Sequence, residues 1–129
     1  MLLGIDLGAT NIRVGRVHEG AVEALHEAPI DQSEDPNTLI QQMASLIELC
    51  WHPAIRSIGI GVPSVVDVER GIVYDVQNIP SWKEVHLKDI MEARFSVPTW
   101  VNNEANCFVI GERYYGRAKG KSNVIGLII

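Results

Sequence analysis

Cysteine is scarce. The 129 residues hold two, Cys50 and Cys107, far apart, with no CxxC pair and no histidine at ligand spacing. A disulfide framework or a zinc site within these residues is not expected. Long apolar runs are missing too: none approaches the ~18 residues of a membrane helix, and no basic stretch precedes an apolar one at the N-terminus. A reducing cytoplasm is the expected compartment, with no membrane partner. Lysine and arginine form no cluster, and 11 basic against 16 acidic residues leave a net charge of −5. That balance argues against nucleic acid as a partner. GxxxxGK[ST], GxSxG, HExxH and a Ser/His/Asp set are all absent. His18, His26, His52 and His86 share no spacing and read as structural or surface residues. There is no internal repeat or low-complexity tract.

What is present is enough apolar residue, 47 %, for a real core, with 21 % charged residues. The length suits one domain or a piece of something larger. The most informative stretch is Leu3–Arg13. Leu3, Ile5 and Leu7 read as a buried strand, Gly8-Ala9-Thr10-Asn11 breaks it, and Ile12 and Val14 alternate with polar residues as a second strand. The result is a hairpin whose tip carries Asp6, Gly8, Thr10, Asn11 and Arg13. Such a tip suits phosphate: glycine lets backbone N–H groups approach an anion, a hydroxyl adds a donor, and a carboxylate can hold a metal–water shell. A hairpin with ordinary polar turn residues is the other reading.

Gly20 marks a second turn, and Ala21–Ala28 a third strand ended by Pro29. Asp35 can cap and Pro36 can open a helix, whose stripe Leu39, Ile40, Met43, Leu46, Ile47 and Cys50 runs to about Cys50. Ile55–Val62 reads as a central parallel strand buried on both faces, ending in Gly61-Val62-Pro63-Ser64. The Gly-x-Gly there lacks the later glycine of a dinucleotide fingerprint. Val65–Val76 reads as a short hairpin turning at Glu69-Arg70-Gly71. Gln77–Trp82 is a loop in which a proline and a tryptophan form either a rigid apolar wall for a sugar or a packed surface loop. A helix over roughly 86–95, a strand over Pro98–Val101, and a helix opened by Asn102-Asn103-Glu104-Ala105-Asn106 follow. That last helix is apolar nearly all round and is expected to be buried. Val124–Ile129 reads as a final strand.

Glu104 is the carboxylate of most interest. An acid in a first helical turn can be explained by the helix dipole alone. Here Asn102, Asn103 and Asn106 crowd the same helix start, and one N-cap leaves the others needing a reason.

Together, Asp6-x-Gly8-x-Thr10-x-x-Arg13, Gly59-Ile60-Gly61-Val62-Pro63, Asn78-Ile79-Pro80-x-Trp82, and Asn102-Asn103-Glu104-Ala105-Asn106 with Gly111-Glu112 resemble the N-terminal half of ROK-family sugar kinases. The resemblance implies an α/β fold of the ribonuclease H-like actin-type ATPase kind. Its mixed sheet would have three antiparallel opening strands joined by parallel ones, flanked by helices. It implies an ATP-dependent kinase, with Mg²⁺, acting on a hexose or amino sugar. Asp6, Gly8, Thr10, Asn11 and Arg13 would face the ATP phosphates and the metal. Ser64, Asn78, Asn103 and Glu104 would hold the sugar, and Glu104 would be the catalytic base. No metal ligand set of the protein's own is implied.

Three departures from the family pattern stand out. Glu104 replaces the usual aspartate: the reference pKa values are close, about 4.3 against 3.9. The extra methylene moves the carboxylate by roughly 1 Å, a displacement that can cost about 100-fold. Ser64 replaces a glycine, and Ala9 replaces the second glycine of Asp-x-Gly-Gly-Thr, where φ can stay negative. The family's second phosphate loop (Gly-Thr-Gly) and its His/Cys zinc motif are not in these residues. The expectation is therefore an N-terminal lobe over 1–122 with 123–129 as the first strand of a second lobe, inactive alone and open to homodimerisation through that apolar strand. Two other readings of the resemblance are a sugar-responsive ROK transcriptional regulator, for which a strand starting at Leu2 leaves no DNA-binding domain, and a non-catalytic sugar-binding relative.

Overall fold

The computed structural model describes residues 1–129. Three antiparallel strands open the chain: β1 (Leu2–Leu7), β2 (Asn11–His18) and β3 (Ala21–Pro29). The β2–β3 turn is Glu19-Gly20, both left-handed (φ 50° and 80°), as a two-residue hairpin loop with right-handed strand twist requires. Helix α1 (Pro36–Cys50) starts where expected. Asp35 caps it by accepting from the Asn37 N–H, Pro36 sits in its first turn, and the Leu39–Cys50 stripe is buried.

The chain then forms β4 (Ile58–Val62), a hairpin of β5 (Val65–Asp67) and β6 (Ile72–Tyr74), the two-residue β7 (Glu84–Val85), α2 (Leu87–Phe95), β8 (Thr99–Asn103) and α3 (Glu104–Tyr115). The main sheet has the order β3-β2-β1-β4-β8, and β4 pairs parallel with both neighbours. A small sheet, β5-β6-β7, sits beside it. This is the expected mixed sheet with flanking helices.

Register divides the main sheet into two unlike faces. On one face Val14, Ile5, Ile60 and Val101 line up across four strands, all buried. They pack with the α1 stripe and with Leu87 and Met91 of α2 in one core cluster. On the other face the matching row is Leu25–Gly15–Gly4–Gly59–Trp100, three adjacent glycines between two exposed apolar side chains. Nothing lies within 4 Å of where a Cβ on Gly4 or Gly59 would stand.

Several expectations need correcting. Strand β4 begins at Ile58, because the chain first turns, with the Ile55 N–H bonded to the His52 carbonyl at 2.9 Å. It is not buried along both faces: the second face is open at Gly59 and covered only at Gly61, beneath α3. Helix α3 is not buried: none of its residues is, and Phe108 and Ile110 stay about half exposed. Apolar composition buries a helix only where something covers each side, and α3 is covered where it crosses β4 and β8 and where Gly126 passes Phe108 and Val109. Val124–Ile129 forms no strand, because a strand needs a partner and none is in reach. Ile125 and Ile129 are fully exposed. Trp82 is wholly buried and its Nε1–H donates to the Pro36 carbonyl at 3.0 Å. It is a core residue that ties the 77–82 loop to the start of α1, and it offers no apolar wall to a ligand.

Candidate functional site

The open face of the sheet carries a second row, one step toward the carboxyl ends of β1 and β4: Glu27–Arg13–Asp6–Gly61–Asn102. Polar side chains from four strands thus share one line with the bare Gly61 of β4, at the strand ends where ligands bind in open α/β sheets. Helix α3 begins directly above it. A Cβ on Gly61 would stand 3.5 Å from the Glu104 Cα and 3.5 Å from the Cys107 Sγ, ordinary contact distances that leave no room for a longer side chain under α3.

Between the β1–β2 turn and α3 lies a cleft of about 560 Å³. Asp6, Gly8, Ala9, Gly61, Glu104 and Cys107 line it. The turn is closed by the Gly8 N–H bonding to the Asn11 carbonyl at 2.9 Å. The same carbonyl would lie 3.2 Å from a Cβ at position 8, tight enough to favour glycine there. The Ala9 and Thr10 N–H groups take no part in closing the turn, and both residues are exposed at the tip. Ala9 keeps an ordinary negative φ, which is why it can stand where a glycine was expected.

Asn103 is the N-cap of α3: its Oδ1 accepts from the Ala105 N–H at 2.9 Å, and its Nδ2 donates to the Ser64 carbonyl at 3.1 Å. Asn102 also has a local role, its Oδ1 accepting from the Asn103 N–H and from Asn106 Nδ2. The crowd of amides is thereby largely explained as scaffold, and it leaves Glu104 as the first-turn group without a hydrogen-bond partner. Ser64 Oγ donates to the Tyr74 carbonyl. Asn78 Nδ2 donates to the Ala9 carbonyl at 2.7 Å and so reaches the hairpin tip from the 77–82 loop.

Burial, and then the Asp6 charge, push the Glu104 carboxyl above the usual carboxylate range, against the pull of the helix N-terminus. The same two causes raise the Cys107 thiol. Of the expected residues, Asp6, Gly8 and Glu104 line the cleft, and Thr10, Asn11, Arg13, Ser64, Asn78 and Asn103 do not. Arg13 and Asn11 are turned toward the β3 edge, where Glu27 accepts from both, at 3.2 Å from the Arg13 Nε and 2.9 Å from the Asn11 Nδ2. Arg13 also reaches Asp6 at 3.4 Å. Glu27 was not among the residues expected at the site. Its place opposite Arg13 comes from a register shift between Arg16 and Val17 that no sequence signal marks.

The ROK family profile matches residues 2–129. The chain belongs to the ROK family. Among its relatives, a ROK glucokinase from Streptomyces coelicolor is 34 % identical over 97 % of this chain and 39 % of its own length. An N-acetyl-D-glucosamine kinase from Aliivibrio salmonicida is 30 % identical over all of this chain and 43 % of its own. A xylose repressor from Caldicellulosiruptor bescii is 32 % identical over 99 % of this chain and 34 % of its own. The crystal structure of a ROK glucokinase from Streptomyces griseus with glucose and AMPPNP superposes with a TM-score of 0.83 at 27 % identity, over 92 % of this chain and 38 % of that one. The ROK chain described here thus spans about two fifths of the length of the curated relatives it matches. No helix is long and apolar enough to cross a membrane.

Proposed function

We propose that this chain supplies the sugar-facing and phosphate-facing lobe of an ATP-dependent sugar kinase acting on a hexose or an amino sugar. The observation that carries the reading is the shared cleft: Glu104 at the start of α3, Asp6 on β1 and the tip of the β1–β2 turn all border one space. In this reading the sugar hydroxyl oxygen attacks the γ-phosphorus, its proton passes to a Glu104 carboxylate oxygen, and the bond to the β–γ bridging oxygen breaks to release ADP. A carboxylate held above its usual pKa suits a base that must take a proton near neutral pH. The exposed tip amides of Ala9 and Thr10 hydrogen-bond phosphate oxygens, helped by the Thr10 hydroxyl. Asp6 fits Mg²⁺, since its carboxylate is half exposed at the cleft and holds one long bond to Arg13; the ion would neutralise phosphate charge. In this reading Asn78, whose amide bonds the Ala9 carbonyl, and Ser64 hydrogen-bond the sugar, and Asn103, bonded to the Ser64 carbonyl and capping α3, orients both Ser64 and α3.

The cleft is walled by this lobe on one side, and residues 1–122 with the 123–129 tail need a second lobe to close it. The same proposal places the protein in the cytoplasm, without nucleic acid as a partner, and allows self-association through the exposed Ile125, Leu127 and Ile129. The test is a coupled ATP-consumption assay over a sugar panel. A protein that carries this chain joined to a second lobe turns over at least one sugar, and its Glu104→Gln variant loses at least ~100-fold in kcat. The 129-residue chain alone shows no turnover. Full activity in Glu104→Gln overturns the assignment of the base. A similarity to a xylose repressor keeps one other reading in view, and sugar binding without any phosphate transfer in the two-lobe protein would favour it.

A further inference from the structure

Two of the side chains best suited to grip phosphate are held away from the cleft. Arg13 and Asn11 project from β2 beside the turn, yet both point to Glu27 on the edge strand β3. The Glu27 carboxylate takes the Arg13 guanidinium through both oxygens, Nε to one and Nη2 to the other, at 3.2 Å each. The oxygen that accepts from Nη2 also accepts from the Asn11 amide. Of the contacts on Arg13, this is the dominant one: Glu27 comes before Asp6 among the causes that hold its charge. With Arg13 held so, its charge is turned to Glu27, and the cleft keeps the carboxylates of Asp6 and Glu104, a poor field for an anion.

From this arrangement we infer that Glu27 is an internal competitor for phosphate: it holds Arg13 and Asn11 in the ligand-free chain and gives them up when a phosphate group enters the cleft. The inference rests on reading the β1–β2 tip as a phosphate site. A carboxylate and a phosphate oxygen offer an arginine fork the same planar pair of acceptors, so the exchange needs a side-chain rotation and no backbone change. The Arg13 and Glu27 side chains are about half exposed and Asn11 is partly exposed, which leaves them room to rotate. Glu27 thus sets affinity by opposing it, as a positioning residue that acts through Arg13.

The experiment measures binding of inorganic triphosphate, with Mg²⁺ held constant, to the 129-residue chain by calorimetry. Glu27→Gln keeps an acceptor for Asn11 but removes the charge that holds Arg13. It binds triphosphate about three- to five-fold tighter than the parent, the ceiling for freeing one exposed ion pair. The gain fades toward 1 M salt, where the screening length drops to ~3 Å. Glu23→Gln is the control. It breaks the ion pairs to Arg16 and His18 on the same hairpin, away from the cleft, and leaves affinity unchanged. In the parent, the Arg13 Nε–H and Asn11 side-chain amide resonances move together on titration. Weaker or equal binding by Glu27→Gln overturns the competitor role and leaves the phosphate site standing. If neither protein binds triphosphate, the phosphate site and the competitor fall together.

Discussion

The spacing between β4 and α3 yields the sharpest mutational test. Gly61 is not in the left-handed region, and a Cβ there would sit 3.5 Å from both the Glu104 Cα and the Cys107 Sγ, ordinary van der Waals distances. Gly61→Ala should therefore fit without moving α3. Its main effect is on the unfolded chain, whose freedom it reduces, for a gain of about 0.4–1 kcal/mol. Gly61→Val adds two methyl groups a further ~1.5 Å out. At least one of them must intrude on the start of α3, since the other directions are taken by the β4 backbone. Relieving the overlap costs about 1–3 kcal/mol and shifts Glu104 by roughly 1 Å, enough to lower turnover about 100-fold in a two-lobe protein. Urea denaturation of the 129-residue chain reads the first number, and the amide resonances of Glu104 and Cys107 read the displacement. The reasoning is refuted by an alanine variant destabilised by more than about 1 kcal/mol, or by a valine variant whose α3 resonances match the parent.

Other outcomes follow from single contacts. Glu104 is held with a raised pKa, so the folded chain binds its proton more readily than the unfolded chain. Its contribution to stability therefore falls as pH rises through and just above the usual carboxylate range. Glu104→Gln should flatten that decline, seen as a higher Tm relative to the parent at pH 7 than at pH 4. In the two-lobe protein, kcat should rise with pH through an apparent pKa above the ordinary glutamate value. Trp82→Phe strands the Pro36 carbonyl and leaves space in the core. A loss of about 2–3 kcal/mol at unchanged m-value is expected in urea. Asn103→Ala removes the α3 cap and the tie to Ser64 together, a cost of about 1–2 kcal/mol that Asn103→Ser should partly restore, measured the same way.

Much of the fold was legible because its signals are local. Asp35 and Pro36 mark the start of α1, Gly20 the second turn, and the alternation through Ile12 and Val14 the strand that carries Arg13. What stayed hidden depends on partners distant in sequence. The Glu19-Gly20 turn sets His18 opposite Ala21 and Val17 opposite Val22, a register that would bring His26 to Arg13. The irregularity between Arg16 and Val17 shifts it by one, and Glu27 arrives instead. No pattern in β3 announces that irregularity. The apolar surface of α3 and the β-branched run at 124–129 show preference for burial and pairing, and neither preference is met by this chain alone. The two readings of the 77–82 loop stayed open in sequence because the docking of Trp82 on α1 depends on a residue 46 positions away.

The bare row across Gly15, Gly4 and Gly59 has an effect on how the sheet evolves. Strands normally hold their alignment through side-chain pairs on both faces. Here one face has nothing to pair along that row, so alignment falls to Val14, Ile5, Ile60 and Val101 beneath it. A slip by one residue would drop glycines into the core and lift isoleucines into water, which keeps the strands in place from one side. The face that aligns the strands and the face that borders the cleft are therefore written in separate residues, so the second can change without disturbing the first.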